Sequence, residues 1–183
     1  MIQPALLDAD DLNAFCTFAV GNVMCGVQVG DIREIVSDVP VTPVPSSAKT
    51  ISGLINLRGQ ILTVVDTMEW LHLDVPDVNE VARFHLIVSV GSELISLRVG
   101  EMGPVISPDH GDFEPVPKHL DRVVSDRLQS VVKLSDRLVL MLRVEKFLEL
   151  RNSASAKSLL LEGDAEGSRS LGQIVQQVEQ DLQ

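Results

Sequence analysis

The sequence predicts a mainly β protein made of two similar small barrels of about five strands each, and three observations predict it. Hydrophobic residues form 45% of the 183-residue chain, and Val, Leu and Ile dominate them, which suits pleated strands with a β-branched interior. Short apolar runs are broken by Gly-Asn and Gly-Ser, which mark hairpins, because glycine tolerates the positive φ that two-residue turns demand. The chain also repeats itself. Val20-Gly21, Val29-Gly30-Asp31-Ile32 and Ile35-Val36 return seventy residues later as Val90-Gly91, Val99-Gly100-Glu101-Met102 and Val105-Ile106, with no gap in register. Closing each sheet into a barrel would remove the exposed edges that an open sheet leaves.

The elements follow the repeat in order. Residues 1–14 form an N-terminal arm that carries acids where a secretory leader would carry bases. Strands are expected over 14–20 and 23–29, joined at Gly21-Asn22. That pairing sets Cys16 and Cys25 on one face as diagonal neighbours, read as two buried reduced thiols. The stretch 37–47 holds Pro40, Pro43 and Pro45 and is expected to run extended over the surface. The matching hairpin of the second half covers 84–90 and 94–99.

A second unit repeats at an offset of 77. Ile55-Asn56-Leu57-Arg58-Gly59-Gln60-Ile61-Leu62 leads to Val64-Val65, Trp70 and Leu71. Val132-Lys133-Leu134-Ser135-Asp136-Arg137-Leu138-Val139 leads to Met141-Leu142, Phe147 and Leu148. Each reads as strand, tight turn, strand and a short helix with one aromatic, and Asp66 is placed to cap the helix expected at 67–72. The second half therefore holds seven extra residues between its two repeated segments. Residues 72–82 read as the link between halves, and 108–117, rich in Pro and acid, as an irregular stretch. Residues 151–169 read as a flexible linker, being Ser-, Ala- and Gly-rich. Residues 170–183 read as an amphipathic helix, with Ser170 as its cap and Leu171, Ile174, Val175, Val178 and Leu182 along one stripe.

Several functions fall away on composition. A net charge of −11, with Lys and Arg scattered singly, would be repelled by a phosphate backbone or an anionic membrane face, which argues against nucleic acid. Aromatics at 3% provide no stacking platform for single strands. No run approaches the roughly 20 apolar residues of a membrane helix, so direct membrane insertion is not expected and the cytoplasm is the expected location. His72, His85, His110 and His119 stand far apart without ligand spacing, and no phosphate-binding glycine loop or nucleophile elbow occurs. No metal, cofactor or catalytic residue is expected.

One run stands out: Ile51-Ser52-Gly53-Leu54-Ile55-Asn56-Leu57-Arg58-Gly59-Gln60-Ile61-Leu62 sets an Asn and an Arg at a tight turn between apolar strands. A plain hairpin would use Asn56 to bond the turn and leave Arg58 in water. Gly53-Leu54-Ile55-Asn56-Leu57-Arg58-Gly59, followed by Val64-Val65-Asp66, also resembles the hallmark of CheW-type chemotaxis coupling domains. Phe15, Phe18, Gly21 and Cys25-Gly26-Val27 resemble that family's opening hairpin, Ile32-Arg33-Glu34-Ile35 its next element, and Pro43 its crossing loop. The resemblance runs in order over about 15–150.

It implies two intertwined five-stranded barrels of the Src-homology-3 type, as subdomains of about 15–72 and 83–150 that could exchange terminal strands. It also implies a non-enzymatic adaptor that holds the cytoplasmic tip of methyl-accepting chemoreceptors and the regulatory domain of a CheA-type histidine kinase, in arrays governing chemotaxis or pilus motility. Other CheW-like domains are further possible partners. The partner-binding residues implied are Arg58, Asn56 and Gly53 on the hairpin, Glu34 with Ile32 and Ile35 in the preceding element, and Val99 and Met102 in the second half. The chain departs from the family where an Asp usually follows the second Val-rich strand: it reads Val99-Gly100-Glu101, then Gly103-Pro104. Two other classes compete. A small-ligand-binding β-barrel sensor would need an interior cavity, and an esterase- or nuclease-like enzyme would need a His–carboxylate or metal cluster.

Overall fold

Apolar alternation punctuated by left-handed turns organises the chain. The computed structural model describes residues 13–45, 47–73 and 83–150, and within them eleven strands form. The first half holds β1 (Phe15–Val20), β2 (Val23–Gln28), β3 (Ile32–Ser37), β4 (Ile51–Leu57), β5 (Gln60–Asp66) and helix α1 (Thr67–Leu71). The second holds β6 (Phe84–Val90), β7 (Glu93–Val99), β8 (Met102–Ile106), β9 (Phe113–Glu114), helix α2 (Arg122–Arg127), β10 (Leu128–Lys133), β11 (Leu138–Leu142) and a 3-10 helix, Val144–Leu148. Most of the arm and of the link between halves, the linker 151–169 and the helix 170–183 lie outside the described residues.

The expected hairpins form where glycine permits them. Gly21 and Gly91 both adopt φ +61° at the turns of β1–β2 and β6–β7. Phe18 faces Cys25 and Cys16 faces Val27, so the two cysteines are diagonal, buried and free. Burial pushes both thiols above the usual cysteine range. Asp66 caps α1 by accepting from the Glu69 N–H at 3.2 Å.

The sequence repeat maps onto a spatial repeat, with the first hairpin of each half seated in the other half's sheet. One sheet runs β8-β1-β2-β11-β10-β9 and the other β3-β6-β7-β5-β4. The two crossings correspond: β2 pairs in parallel with β11, and β7 in parallel with β5. The six-strand count of the first sheet differs from the five expected. The sixth strand, β9, and α2, which was not expected, both come from the longer stretch between β8 and β10, where the seven extra residues lie. Asp121 starts α2 by accepting from the Val123 N–H at 2.7 Å. The Pro-rich stretch after β3 lies along the edge of β4, where Thr42 and Leu54 exchange backbone hydrogen bonds of 2.8 and 2.9 Å.

Each barrel has a small apolar cluster of its own: Ile55, Leu62, Val64 and Ile87 in one, Phe15, Val132, Val139 and Met141 in the other. By far the largest cluster draws on both sheets and surrounds Trp70 and Phe147, whose rings stack at 4.0 Å and 28°. These two aromatics are the equivalent residues of the repeat. With Phe18, Leu71, Leu86, Leu97 and Leu128 they fill the centre where a sensor's ligand would have to sit.

His85 of β6 is buried, with its Nδ1 2.8 Å from Ser96 Oγ. Burial, together with the Arg98 guanidinium, holds its pKa below the ordinary histidine value against a smaller opposite effect of the Val39 backbone.

This arrangement has two measurable outcomes. Because each half lacks two strands of its own sheet, fragments 1–77 and 78–183 are expected to be unfolded separately and to regain a β-type circular dichroism spectrum on mixing. Because the folded state resists protonating His85, stability is full above the unfolded pKa of 6.5 and falls as pH drops below it. The urea midpoint should therefore fall between about pH 7.5 and about pH 5.5, and His85→Gln should flatten that slope.

Candidate functional site

The hairpin β4–β5 ends in a two-residue turn of Arg58 and Gly59, with φ +53° and +88°. Two successive left-handed residues are what the right-handed twist of paired strands prefers, and Asn-Gly is the common choice for such a turn. Asn56 anchors the turn: its Oδ1 accepts from the Gly59 N–H at 2.8 Å. Arginine at a left-handed position is unusual, because its Cβ crowds the following carbonyl at a cost of roughly 1 kcal/mol.

The Arg58 side chain is 71% exposed, and its Nη2 donates to Glu34 Oε2 at 2.8 Å. Glu34 is 29% exposed and sits on β3, just past a bulge opposite Val88 and Ile87. β3 and β4 are the two outermost strands of the five-stranded sheet. The ion pair therefore spans the seam at which that sheet curls closed, and Val36 of β3 joins Ile55 and Leu57 of β4 in the cluster beneath. Sequence reasoning left open whether Glu34 pairs with Arg58 inside the monomer; the fold makes them partners.

Gly53 serves the backbone. It lies at φ +148° beside a bulge between Ile51 and Gly53, and a methyl group there would collide with the Thr42 carbonyl oxygen. Its neighbour Ser52 joins a polar cluster across three strands: Arg98 Nη1 donates to Ser52 Oγ at 3.3 Å, Ser52 Oγ donates to Asp66 Oδ2 at 3.4 Å, and Arg98 lies 3.8 Å from Asp66. This cluster fixes the base of the hairpin.

The remaining sequence-derived positions divide. Ile35 is 43% exposed and Ile32 is partly buried against the shared core. Met102 is likewise partly buried, whereas Val99 is 1% exposed inside that core and offers a partner no side-chain surface. Sequence reasoning missed Ile61, 59% exposed on β5, and Val105, exposed on the edge strand β8. The signal for Ile61 was available: in Ile61-Leu62 a strand must turn one of two adjacent apolar residues outwards. Among the described residues no group of three His, Cys, Asp or Glu is placed to hold a metal, and no helix is long and apolar enough to cross a membrane.

The chain as a whole has relatives among known proteins. A family model described as CheW-like domain matches residues 14–152. The chain is 26% identical over 142 residues to the chemotaxis protein CheW of Helicobacter pylori, covering 78% of this chain and 85% of that one. It is 27% identical over 148 residues to the chemotaxis protein CheW of Thermotoga maritima, covering 77% and 92%. Its fold resembles the crystal structure of the scaffolding protein TtCheW from Thermoanaerobacter tengcongensis, with a TM-score of 0.67 at 23% identity over 75% of this chain and 92% of that one.

The close approach at Gly53 has a measurable cost. Gly53→Ala should lower unfolding free energy by about 2–4 kcal/mol, combining left-handed strain with displacement of the strand-edge segment at Thr42. Denaturant unfolding of the variant checks this, and a change below about 0.5 kcal/mol would mean that the edge segment yields freely.

Proposed function

The chain belongs to the CheW-like domain family, and on that premise we propose that it is a non-enzymatic chemotaxis adaptor that couples the cytoplasmic tips of methyl-accepting chemoreceptors to the regulatory domain of a CheA-type histidine kinase. It acts in the cytoplasm, beneath membrane-bound receptors, and works by surface binding alone. Other CheW-like domains are candidate neighbours in the same array.

The observation that carries this reading is the conformation of Arg58. A turn selected for stability would take Asn or Gly at φ +53°. Arginine there costs roughly 1 kcal/mol, and an exposed ion pair to Glu34 returns only about 0–1 kcal/mol. Backbone strain kept without a structural return marks positions that serve binding. A planar guanidinium at a hairpin tip can also bind a carboxylate in bidentate fashion, and arginine is enriched at binding hot spots. Ile61, three residues beyond Arg58, and Ile35, beside Glu34, add the exposed apolar area that an amphipathic receptor helix would cover. Asn56 and Gly53 support the contact indirectly, by holding the turn and its strand in place.

Three variants test the reading. Arg58→Glu and Arg58→Asn should each weaken binding of a receptor-tip peptide or of the kinase regulatory domain at least about tenfold, roughly 1.4 kcal/mol. Arg58→Asn should at the same time raise unfolding free energy by about 0.5–1 kcal/mol, because it suits the left-handed turn. The exchange Glu34→Arg with Arg58→Glu should recover whatever stability the single charge reversals lose, without recovering binding. Calorimetric titration and thermal melting separate the two effects, and wild-type affinity in Arg58→Asn would remove this turn from the interface.

A further inference from the structure

A second charged site lies where α2 and the 3-10 helix meet the end of α1. A cavity of about 380 Å³ opens there between Arg122, Val123, Asp126 and Arg127 of α2 and Lys146 of the 3-10 helix, with the buried Trp70 of α1 as its floor. Its size falls within the range of about 300–1,000 Å³ common to ligand pockets. No residue of β4 or β5 lines it.

Its cations are unequally paired. Lys146 Nζ holds Asp126 at 2.7 Å and Glu149 at 2.8 Å. Arg122 and Arg127 form no salt bridge among the described residues. Arg127 is half-buried, and its Nη1 is inaccessible, with no hydrogen-bond partner among the described residues. The Trp70 ring, its centroid 5.3 Å from the guanidinium carbon, attracts the cation but supplies no strong acceptor for its N–H groups. Burial lowers the Arg127 pKa against the opposing pull of Asp121, Asp126 and Glu149. A partly desolvated cation without a counterion is costly, and an arriving carboxylate offsets that cost. Lys118, likewise without a salt bridge among the described residues, lines an adjoining cavity that shares Arg122 and Asp126. In a chain of net charge −11, three such bases on one face favour an acidic partner.

We propose that this cavity binds an acidic segment of a partner protein. One carboxylate of that segment pairs with Arg122 and Arg127, and the apolar residue next to it packs on Val123, which is 45% exposed. The planar forks of two arginines suit a carboxylate, which they bind with paired hydrogen bonds. Asp126 and Glu149 in the same wall repel a doubly charged phosphate about twice as strongly as a single carboxylate. The exposed Val123 side chain also gives a peptide contact area that a bare ion cannot use. The site is separate from the Arg58 turn and does not depend on the proposed coupling role.

Trp70 is the chain's one tryptophan, so its fluorescence reports directly on the cavity floor. Titrating the full chain with the blocked peptide acetyl-Gly-Glu-Leu-Gly-amide should change Trp70 emission saturably. The matched peptide acetyl-Gly-Gln-Leu-Gly-amide should bind at least about tenfold more weakly, because it lacks the charge. Inorganic phosphate at equal concentration should neither change the emission nor displace the Glu-containing peptide. Arg122→Gln, at an exposed position, should weaken the Glu-containing peptide at least about fivefold and leave the Gln-containing one unchanged. Equal affinity of the two peptides for the unaltered chain would overturn the proposal without recourse to any variant. So would an emission that never saturates, unchanged binding in Arg122→Gln, or displacement by phosphate, which would mean a general anion site. Arg58→Glu should bind the Glu-containing peptide as the unaltered chain does; weakened binding there would place the peptide on the hairpin and also overturn the proposal. Loss of this site and loss of coupling are thus read separately.

Discussion

The stack of Trp70 on Phe147 joins two half-sheets that neither half of the chain could complete. Each ring comes from the short helix that ends the second unit of its repeat, and each is nearly inaccessible. An aromatic pair of this kind contributes roughly 0.5–1.5 kcal/mol beyond its buried area. Its larger effect is positional: it sits where both sheets face one another, inside a cluster much bigger than either barrel's own. The parallel pairings of β2 with β11 and β7 with β5 lock the exchange at the backbone. Arg127, with its guanidinium carbon 5.3 Å from the Trp70 ring centroid, extends the stack towards the surface.

With the core shared in this way, the hairpin β4–β5 is held from three directions. The Thr42 segment covers its edge, the Ser52–Asp66–Arg98 cluster ties its base to β7, and Glu34 reaches its tip across the barrel seam. The proposed binding role of Arg58 would draw its precision from this rigid support. The same three restraints explain why an arginine can remain at a left-handed position: the turn is over-determined by its surroundings, and the strain stays local.

Apolar surface is placed unevenly. β5 buries Leu62 and Val64 in its own barrel and Val65 in the shared core, and turns Ile61 outwards at the rim of a groove between β5 and β7. In the opposite sheet Val105 is exposed on β8, an edge strand whose Pro104 lacks a backbone donor, which limits pairing along that edge.

Local chemistry was legible in the residues alone. The two glycine hairpins, the repeat at offsets of 70 and 77, the Asp66 cap and the diagonal cysteines depend only on neighbours in sequence, and alternation with turn residues determines them. β9 and α2 were hidden because a two-residue strand has no periodicity and a six-residue helix barely more, in a stretch whose prolines and acids read as irregular. The resemblance implies Val99 as a partner-binding position, yet the strand alternation of β7 turns it into the shared core. The pairing of Arg58 with Glu34 could be posed but not decided from residues 24 apart, because contact between the outermost strands exists only once the sheet has curled. Sequence determined which segments are strands and where they turn, since those choices are settled within a few residues. The tertiary structure alone decided which half each hairpin joins and which side chains meet across the seam, since those depend on where the largest apolar area can be buried at once.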